Sequence, residues 1–193
     1  IKIHFNVQKK PRGIAESFII AENFIKNDKV TLILGDNIFN GINFSKIKSN
    51  IFENYVGATI FTYKVDNPTR YGVAEVKKNK IISIEEKPKK PKSNFAVTGL
   101  YIYDNDVIKI SKKLKPSKRN ELEIVDLLNI YKKKNILSAD FIGRGGAWLD
   151  TGSINDFYKT SAFVQAIENQ QGLKIACLEE IAFIKKWINK KNI

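Results

Sequence analysis

The stretch Val30–Gly41, VTLILGDNIFNG, decides the fold class of this chain. Its first five residues form an apolar run, which is typical of a strand buried on both faces of a mostly parallel sheet. The run then breaks into Gly35 and Asp36. Open α/β sheets bind their ligands just beyond the carboxyl ends of such strands, so this break predicts a ligand site.

A second aspartate follows another predicted strand, in the sequence AWLDTG that contains Asp150. Two carboxylates delivered from strand ends can share one Mg²⁺ and leave positions open for phosphate oxygens. The alternatives are local: Asp36 can cap a turn, and Asp150 can cap a helix that starts near Ser153. As a pair, the two aspartates favour the metal interpretation.

Composition narrows the kinds of protein that this chain can be. Its 193 residues suffice for one substantial core, and 43% hydrophobic and 11% aromatic residues fit a folded protein. Neither a bilayer-spanning run nor a signal-peptide pattern is present. A single cysteine cannot form a disulfide within the chain, so we expect a protein of the reducing cytoplasm. His4 and Cys177 are the single histidine and cysteine, which disfavours catalytic triads, disulfides and histidine metal sites.

The net charge of +13 raises the question of a nucleic-acid partner. The lysines are scattered over the polar segments and form no stripe interleaved with aromatic residues, which disfavours nucleic acid. An anionic small molecule fits the charge equally well. The chain has no methionine and opens with alternating apolar residues over 1–7, which predicts a half-buried strand and a piece of a longer protein.

Strands and helices alternate along the chain, which predicts an α/β fold with a mixed sheet and hairpin insertions. A single domain is expected over residues 1–193, with a helical C-terminal portion over 153–193. The predicted helices are 14–26, 43–54, 106–113, 122–134, 153–170 and 179–188. The predicted strands are 30–34, 57–65, 73–77, 80–86, 95–103, 136–142 and 147–152.

Further candidate ligand groups lie outside the two aspartates. Lys87 could neutralise a phosphate and Glu86 could accept hydrogen bonds from sugar hydroxyls, although the pair could equally be a surface ion pair. Gln8 carries an amide that can both donate to and accept from a pyrimidine edge, or it is merely a polar loop residue.

Three loop positions add to this set. Gly13 and Gly72 would permit close approach to a ligand, although most loop glycines only turn the chain. Arg119 could bind phosphate, and the alternative is a solvated charge.

Seven ordered motifs carry a resemblance to a known family. They are QxxPxG, LGDNIF, RYGV, EEKPxxPKSNxAVTGLYxYD, ELEI, GRGxAWLDTG and QGLKxxCxEEIAF. Together they resemble the glucose-1-phosphate thymidylyltransferases, the sugar nucleotidyltransferases that join glucose 1-phosphate to dTTP. The resemblance runs along nearly the whole chain.

The resemblance implies a Rossmann-like, mixed, mainly parallel sheet flanked by helices, with a sugar-binding hairpin subdomain. It implies Mg²⁺ as cofactor, dTTP and glucose 1-phosphate as substrates, dTDP-glucose as product, and a homotetramer without membrane or nucleic-acid partners. Asp36 and Asp150 match the Mg²⁺-binding aspartates, and Gln8 and Gly13 match base-recognition positions. The positions that match the glucose and its phosphate are Tyr71, Gly72, Glu86, Lys87, Val97 and Arg119.

The implied reaction is an in-line attack of a sugar-phosphate oxygen on the α-phosphorus of dTTP, which releases pyrophosphate. It needs positioning and charge neutralisation more than a nucleophilic side chain. Asp36, Lys87 and Asp150 are therefore the predicted catalytic residues: Lys87 holds the attacking phosphate, and the aspartates hold the metal.

The chain departs from the family pattern at its start, where the opening strand and the glycine-rich triphosphate loop are absent. We therefore expect weakened binding of the triphosphate, and a catalytically dead sugar-nucleotide-binding remnant is the alternative. Arg12 and Glu16 also differ from the usual residues near the base, which leaves a UTP-using relative as another alternative.

Overall fold

The computed structural model describes residues 2–42, 56–77 and 80–189. It divides into two compact units, Ile1–Trp148 and Leu149–Ile193, which are treated separately below. The single domain expected over 1–193 stays a prediction. The helix predicted at 43–54 and the hairpin turn predicted at Lys78 and Asn79 lie outside the described residues.

The elements follow the predicted order closely. In the first unit they are α1 (Glu16–Ile20), α2 (Glu22–Ile25), β1 (Val30–Ile33), β2 (Asn37–Asn40), β3 (Ala58–Lys64), a 3-10 turn (Pro68–Arg70), β4 (Gly72–Lys77), β5 (Lys80–Glu86), β6 (Phe95–Tyr103), α3 (Asp106–Ser111), α4 (Ile124–Lys133) and β7 (Leu137–Phe141). Strand β8 (Ala147–Asp150) begins in the first unit, and the second unit holds α5 (Ile154–Gln171) and α6 (Leu178–Ile184).

The main sheet is built around β6, in the order β5-β4-β6-β3-β7 with β1 also pairing with β6. One edge of β6 pairs antiparallel with β3. Its other edge is shared, because Ala96 pairs with Val73 of β4 and residues 100–103 pair with β1. Strand β7 runs parallel to β3, so the sheet is mixed and the predicted α/β class is confirmed. The expectation that the sheet is mainly parallel is wrong for the described strands, because the other four pairings of this sheet are antiparallel.

Strand β6 is buried on both faces along nearly its whole length, and the first five residues of β3 are buried in the same way. Eight of the nine residues of β6 are buried, as expected for a strand that is paired on both edges and covered on both faces. The same burial predicted for Val30–Leu34 is wrong. Strand β1 alternates instead, since Leu32 packs on the core while Ile33 is 54% exposed. An apolar run alone did not distinguish the two cases.

The strand predicted at the start of the chain is also wrong. Residues 2–7 have no regular secondary structure, and Phe5 is 91% exposed. An alternating pattern forms a strand only where a sheet edge is available to pair with it, and no described strand pairs with this segment. The helix predicted over 14–26 is present as α1 and α2, which are separated at Ala21.

The core of the first unit lies between β6 and the helices α1, α3 and α4. Tyr103, at the end of β6, is fully buried and contacts the rings of Phe18 and Tyr131, with centroids 5.1 and 5.7 Å away. Edge-to-face and tilted arrangements at these distances are favourable for aromatic rings. Helix α4 presents an apolar stripe that includes Leu127 and Leu128, both fully buried.

The second unit is helical beyond β8. Helix α5 is capped at its start by Ser153, whose Oγ accepts from the Asp156 amide at 3.1 Å, and at its end by Gly172 with φ +70°. Such a side-chain cap and a left-handed glycine are the usual signals that bound a helix. No helix in the described ranges is long and apolar enough to cross a membrane.

Asp104 connects the end of β6 to two other elements, which yields a stability prediction. Its carboxylate accepts from the Gly57 amide at 2.6 Å and from the Tyr131 hydroxyl at 2.8 Å. We expect Asp104→Ala to lower the free energy of unfolding by about 2–3 kcal/mol, because two partly buried donors lose this acceptor. Denaturant unfolding measures the change.

The matched control is Asp106→Ala, which removes an exposed carboxylate 3.8 Å from Lys109. Exposed ion pairs of this kind contribute little, so the change should stay below about 0.5 kcal/mol. Equal losses in the two variants would contradict the anchoring role of Asp104.

Candidate active site

The predicted base-recognition residues lie together in the first loop. The Gln8 side-chain nitrogen donates to the Gly13 carbonyl at 3.1 Å and to the Glu16 carboxylate at 2.6 Å. Gly13 has φ +93°, a conformation that favours glycine, and a Cβ there would overlap the backbone of Leu122. The structure thus brings Gln8 and Gly13 together, and their role in base recognition stays a prediction.

This loop is fastened to the segment that precedes α4. The Leu122 amide donates to the Arg12 carbonyl at 2.6 Å, and the Ala15 amide donates to the Leu122 carbonyl at 3.3 Å. These backbone bonds flank Gly13 on both sides. The loop that carries Gln8 and Gly13 and the segment that carries Arg119 are therefore neighbours.

A second group of predicted residues meets where β4, β5 and β6 adjoin. Gly72 pairs with Glu86 in the β4–β5 ladder, and the Lys87 amide donates to the Tyr71 carbonyl at 3.0 Å. A Cβ on Gly72 would lie 3.4 Å from the Glu86 carboxylate and 3.7 Å from Val97. We call these five residues the hairpin cluster: Tyr71, Gly72, Glu86, Lys87 and Val97.

The hairpin cluster contains a partly buried carboxylate, Glu86, with positive charges close to it. Burial raises the pKa of Glu86, the positive charges of Lys87 and Arg119 oppose the shift, and the charge of Glu123 adds to it. The Lys87 ammonium lies 4.0 Å from the Glu86 carboxylate. Lys87 itself has φ +42°, an uncommon conformation for a residue with a side chain. This cluster could accept a sugar hydroxyl at Glu86 and neutralise a phosphate at Lys87.

Arg119 lies in the same cleft as Glu86, a space of about 490 Å³ between β5 and α4. Its guanidinium contacts both oxygens of Glu123, at 3.1 and 2.7 Å, and Glu121 at 3.5 Å. Hydrogen bonding to Glu123 raises the pKa of Arg119, so the group stays charged. The guanidinium is about half exposed yet held in place, and its predicted phosphate role stays a prediction.

Asn37 is a site residue that the sequence analysis missed. Its side-chain nitrogen donates to the Asp36 carboxylate at 2.7 Å. Its side-chain oxygen accepts from the Gly99 amide at 3.0 Å and from the Trp148 indole at 2.6 Å. The Trp148 ring lies 5.1 Å from Tyr71, so a chain of contacts connects Asp36 to the hairpin cluster. The signal was the position of Asn37 beside Asp36, since an asparagine can donate and accept at once.

Asp150 lies in the second unit, at the end of β8. Its carboxylate accepts from the Gly152 amide at 2.9 Å. The residue that caps α5 is Ser153, so the alternative interpretation of Asp150 as the helix cap is wrong. Its role as a metal ligand stays a prediction.

The donor chemistry of the two aspartates suits a hard cation. The described part of the chain contains no group of three or more His, Cys, Asp or Glu side chains that could hold a metal ion. Mg²⁺ at a nucleotide site is usually bound through one or two carboxylates together with phosphate oxygens and water. Asp36 and Asp150 therefore fit this ion as individual oxygen ligands.

Comparisons with known proteins agree with these observations. The family model described as nucleotidyl transferase matches residues 1–167. A glucose-1-phosphate thymidylyltransferase of Neisseria meningitidis is 49% identical over 100% of this chain and 67% of its own length. The Xanthomonas campestris enzyme of that name is 42% identical over 100% of this chain and 66% of its own. This chain spans about two thirds of the length of these curated relatives.

Solved structures of nucleotidyltransferases have a fold similar to that of this chain. One assigned to a glucose-1-phosphate thymidylyltransferase of Bacillus anthracis has a TM-score of 0.73 and 41% identity, over 83% of this chain and 64% of its own. A UDP-glucose pyrophosphorylase solved with UDP-glucose has a TM-score of 0.70 over 82% of this chain and 65% of its own. Its identity of 24% shows the fold alone.

The packing of Asn37 on Gly99 yields a first prediction for the site. A Cβ on Gly99 would lie 2.6–2.9 Å from the Asn37 amide atoms, which must then move. We expect Gly99→Ala to lower the free energy of unfolding by about 1–3 kcal/mol. It should also change the Trp148 emission, measured in a Trp187→Phe background. Gly143→Ala is the control, because a Cβ there meets no atom within 4 Å. Unchanged stability and emission in Gly99→Ala would contradict the packing.

The burial of Glu86 yields a second prediction, on pH dependence. Its pKa is raised in the folded chain, so the folded state binds its proton more tightly than the unfolded state does. The tighter proton binding by Glu86 therefore stabilises the folded state. This contribution is complete below the ordinary carboxyl pKa and is lost as the pH rises through the higher folded pKa. Relative to the unmodified chain, Glu86→Gln should therefore gain stability across that window. The free energy of unfolding of both chains is measured by denaturation at several pH values. A constant difference between the two chains across these pH values would contradict the raised pKa of Glu86.

Proposed function

Since the chain belongs to the nucleotidyl transferase family, we propose that it transfers the thymidylyl group of dTTP to glucose 1-phosphate, giving dTDP-glucose and pyrophosphate. The relatives at 42–49% identity that carry this activity in their names support the choice of substrates. Because the chain spans about two thirds of the length of these relatives, the activity is proposed for the protein to which this chain belongs.

The observation that carries the proposal is the hairpin cluster. The Lys87 amide is bonded to the Tyr71 carbonyl at 3.0 Å, and Glu86 stands opposite Gly72 on the neighbouring strand. A carboxylate, an ammonium and a glycine thus lie together at one end of the β4–β5 hairpin. This combination suits a ligand that carries hydroxyls on one side and a phosphate on the other.

Each group has a proposed role in the reaction. Lys87 holds the sugar phosphate whose oxygen attacks, and Glu86 orients the sugar through its hydroxyls. Gln8 and Gly13 bind the base of the nucleotide. Catalysis then comes from the alignment of the attacking oxygen with the α-phosphorus, and no side chain of the enzyme forms a covalent bond.

We propose Mg²⁺ as the cofactor, with Asp36 and Asp150 as carboxylate ligands of it. An ion held by these carboxylates would offset the negative charge that develops at the reacting phosphorus. The Asn37 amide, bonded to Asp36 at 2.7 Å, orients that carboxylate. A homotetramer and a cytoplasmic location stay predictions.

Calorimetric titration of the chain with dTDP-glucose in the presence of Mg²⁺ tests the proposal, with UDP-glucose in parallel. We expect saturable binding that favours the thymidine ligand. Lys87→Ala should weaken it by about 10–100-fold, because a charged hydrogen bond to phosphate contributes about 1.5–3 kcal/mol. Lys89→Ala is the control, since it removes a neighbouring exposed lysine and should leave the affinity unchanged.

The catalytic step is tested by pyrophosphate release from dTTP, glucose 1-phosphate and Mg²⁺. Absence of dTDP-glucose binding by a folded sample would contradict the proposed function. Equal weakening by Lys87→Ala and Lys89→Ala would contradict the role of Lys87.

A further inference from the structure

The hydrogen bonds of Gln8 limit what its side chain can present to a ligand. An amide nitrogen can only donate, and this one lies 2.6 Å from the Glu16 carboxylate and 3.1 Å from the Gly13 carbonyl. Both of these partners can only accept. The opposite orientation of the amide would place its oxygen against a carboxylate, so Glu16 holds the amide with its nitrogen toward the loop and its oxygen away from Glu16.

The consequence is that both N–H groups of the Gln8 amide are occupied within the loop. The side-chain oxygen is the end that remains for a ligand, and it accepts no hydrogen bond from the described residues. The sequence predicted that this amide both donates and accepts at a base edge. In the folded loop it presents an acceptor alone.

Glu16 is itself well placed to hold this orientation. It is the first residue of α1 and follows Ala15, which is fully buried. Its side chain is 18% exposed, and the second carboxylate oxygen lies 3.8 Å from Arg12. The Glu16 amide also donates to the Gly13 carbonyl at 3.3 Å, which closes the turn below Gln8.

We infer that Glu16 is a positioning residue for base selection: it holds the Gln8 amide so that the site accepts a pyrimidine whose N3 carries a hydrogen. This inference rests on the proposed function and deepens it. Thymine and uracil carry that N3–H, whereas the N3 of cytosine is an acceptor and would face the Gln8 oxygen lone pairs. A polar site that pairs with one such group discriminates strongly against a base that lacks it.

The test compares the affinities of the chain for dTDP and dCDP by calorimetry. The unmodified chain should prefer dTDP. In Glu16→Leu the amide is released and can turn its nitrogen toward N3 of cytosine, so the dTDP preference should fall about tenfold or more. Glu16→Gln keeps an acceptor for the Gln8 nitrogen and should restore most of the preference.

Two further variants separate this role from general damage. Glu22→Leu removes a carboxylate from α2 that pairs with Lys112 at 2.6 Å, and it should leave the preference unchanged. Gln8→Leu removes the acceptor itself and should abolish the preference. If Glu16→Leu fails to fold, an unchanged preference in Gln8→Leu would still overturn the inference.

The outcomes distinguish the inference from the proposed function. An unchanged dTDP preference in folded Glu16→Leu or Gln8→Leu, with dTDP-glucose still bound, would overturn the inference alone. If the folded, unmodified chain bound neither dTDP-glucose nor dTDP, both the inference and the proposed function would be overturned.

Discussion

The pairing of β6 on both of its edges is the constraint on which the first unit depends. One end of this strand, at Tyr103, lies at the centre of the aromatic core. The other end, at Ala96 and Val97, pairs with β4 and supports the hairpin cluster. Because a strand that is buried and doubly paired is rigid, the core and the candidate site share one fixed element. The position of Glu86 is thus set by the same packing that stabilises the fold.

The Asn37 amide adds a second constraint of a different kind. It satisfies a backbone amide of β6 and the indole of Trp148 while it donates to Asp36. A single side chain with both donor and acceptor capacity can fix three groups only where the backbone comes very close, and Gly99 provides that space. The carboxylate proposed for metal binding is therefore oriented by the sheet that carries the hairpin cluster.

Local sequence signals predicted much of this structure, and long-range pairing accounts for what they missed. Strand β6 has the predicted bounds, since its β-branched and aromatic residues are bracketed by clear turn residues. The burial of Val30–Leu34 was mispredicted, because an apolar run does not reveal which face another element will cover. The motif QxxPxG pointed to Gln8 and Gly13, whereas only the folded loop revealed that the Glu16 carboxylate and the Gly13 carbonyl occupy the donor groups of Gln8. Asn37 was missed for the same reason, since its partners at Gly99 and Trp148 are distant in sequence.

The backbone bonds between the Gly13 loop and Leu122 also bear on the order in which the molecule is made. The two segments are separated by about 110 residues, and neither the Arg12 carbonyl nor the Ala15 amide has this partner until Leu122 has been synthesised. At a translation rate of about 5–20 residues per second, the loop waits on the order of 5–20 seconds after its own synthesis. Contacts of such large sequence separation also form late in folding. The loop that carries Gln8 and Gly13 is therefore completed late in biosynthesis, after the segment that holds it in place.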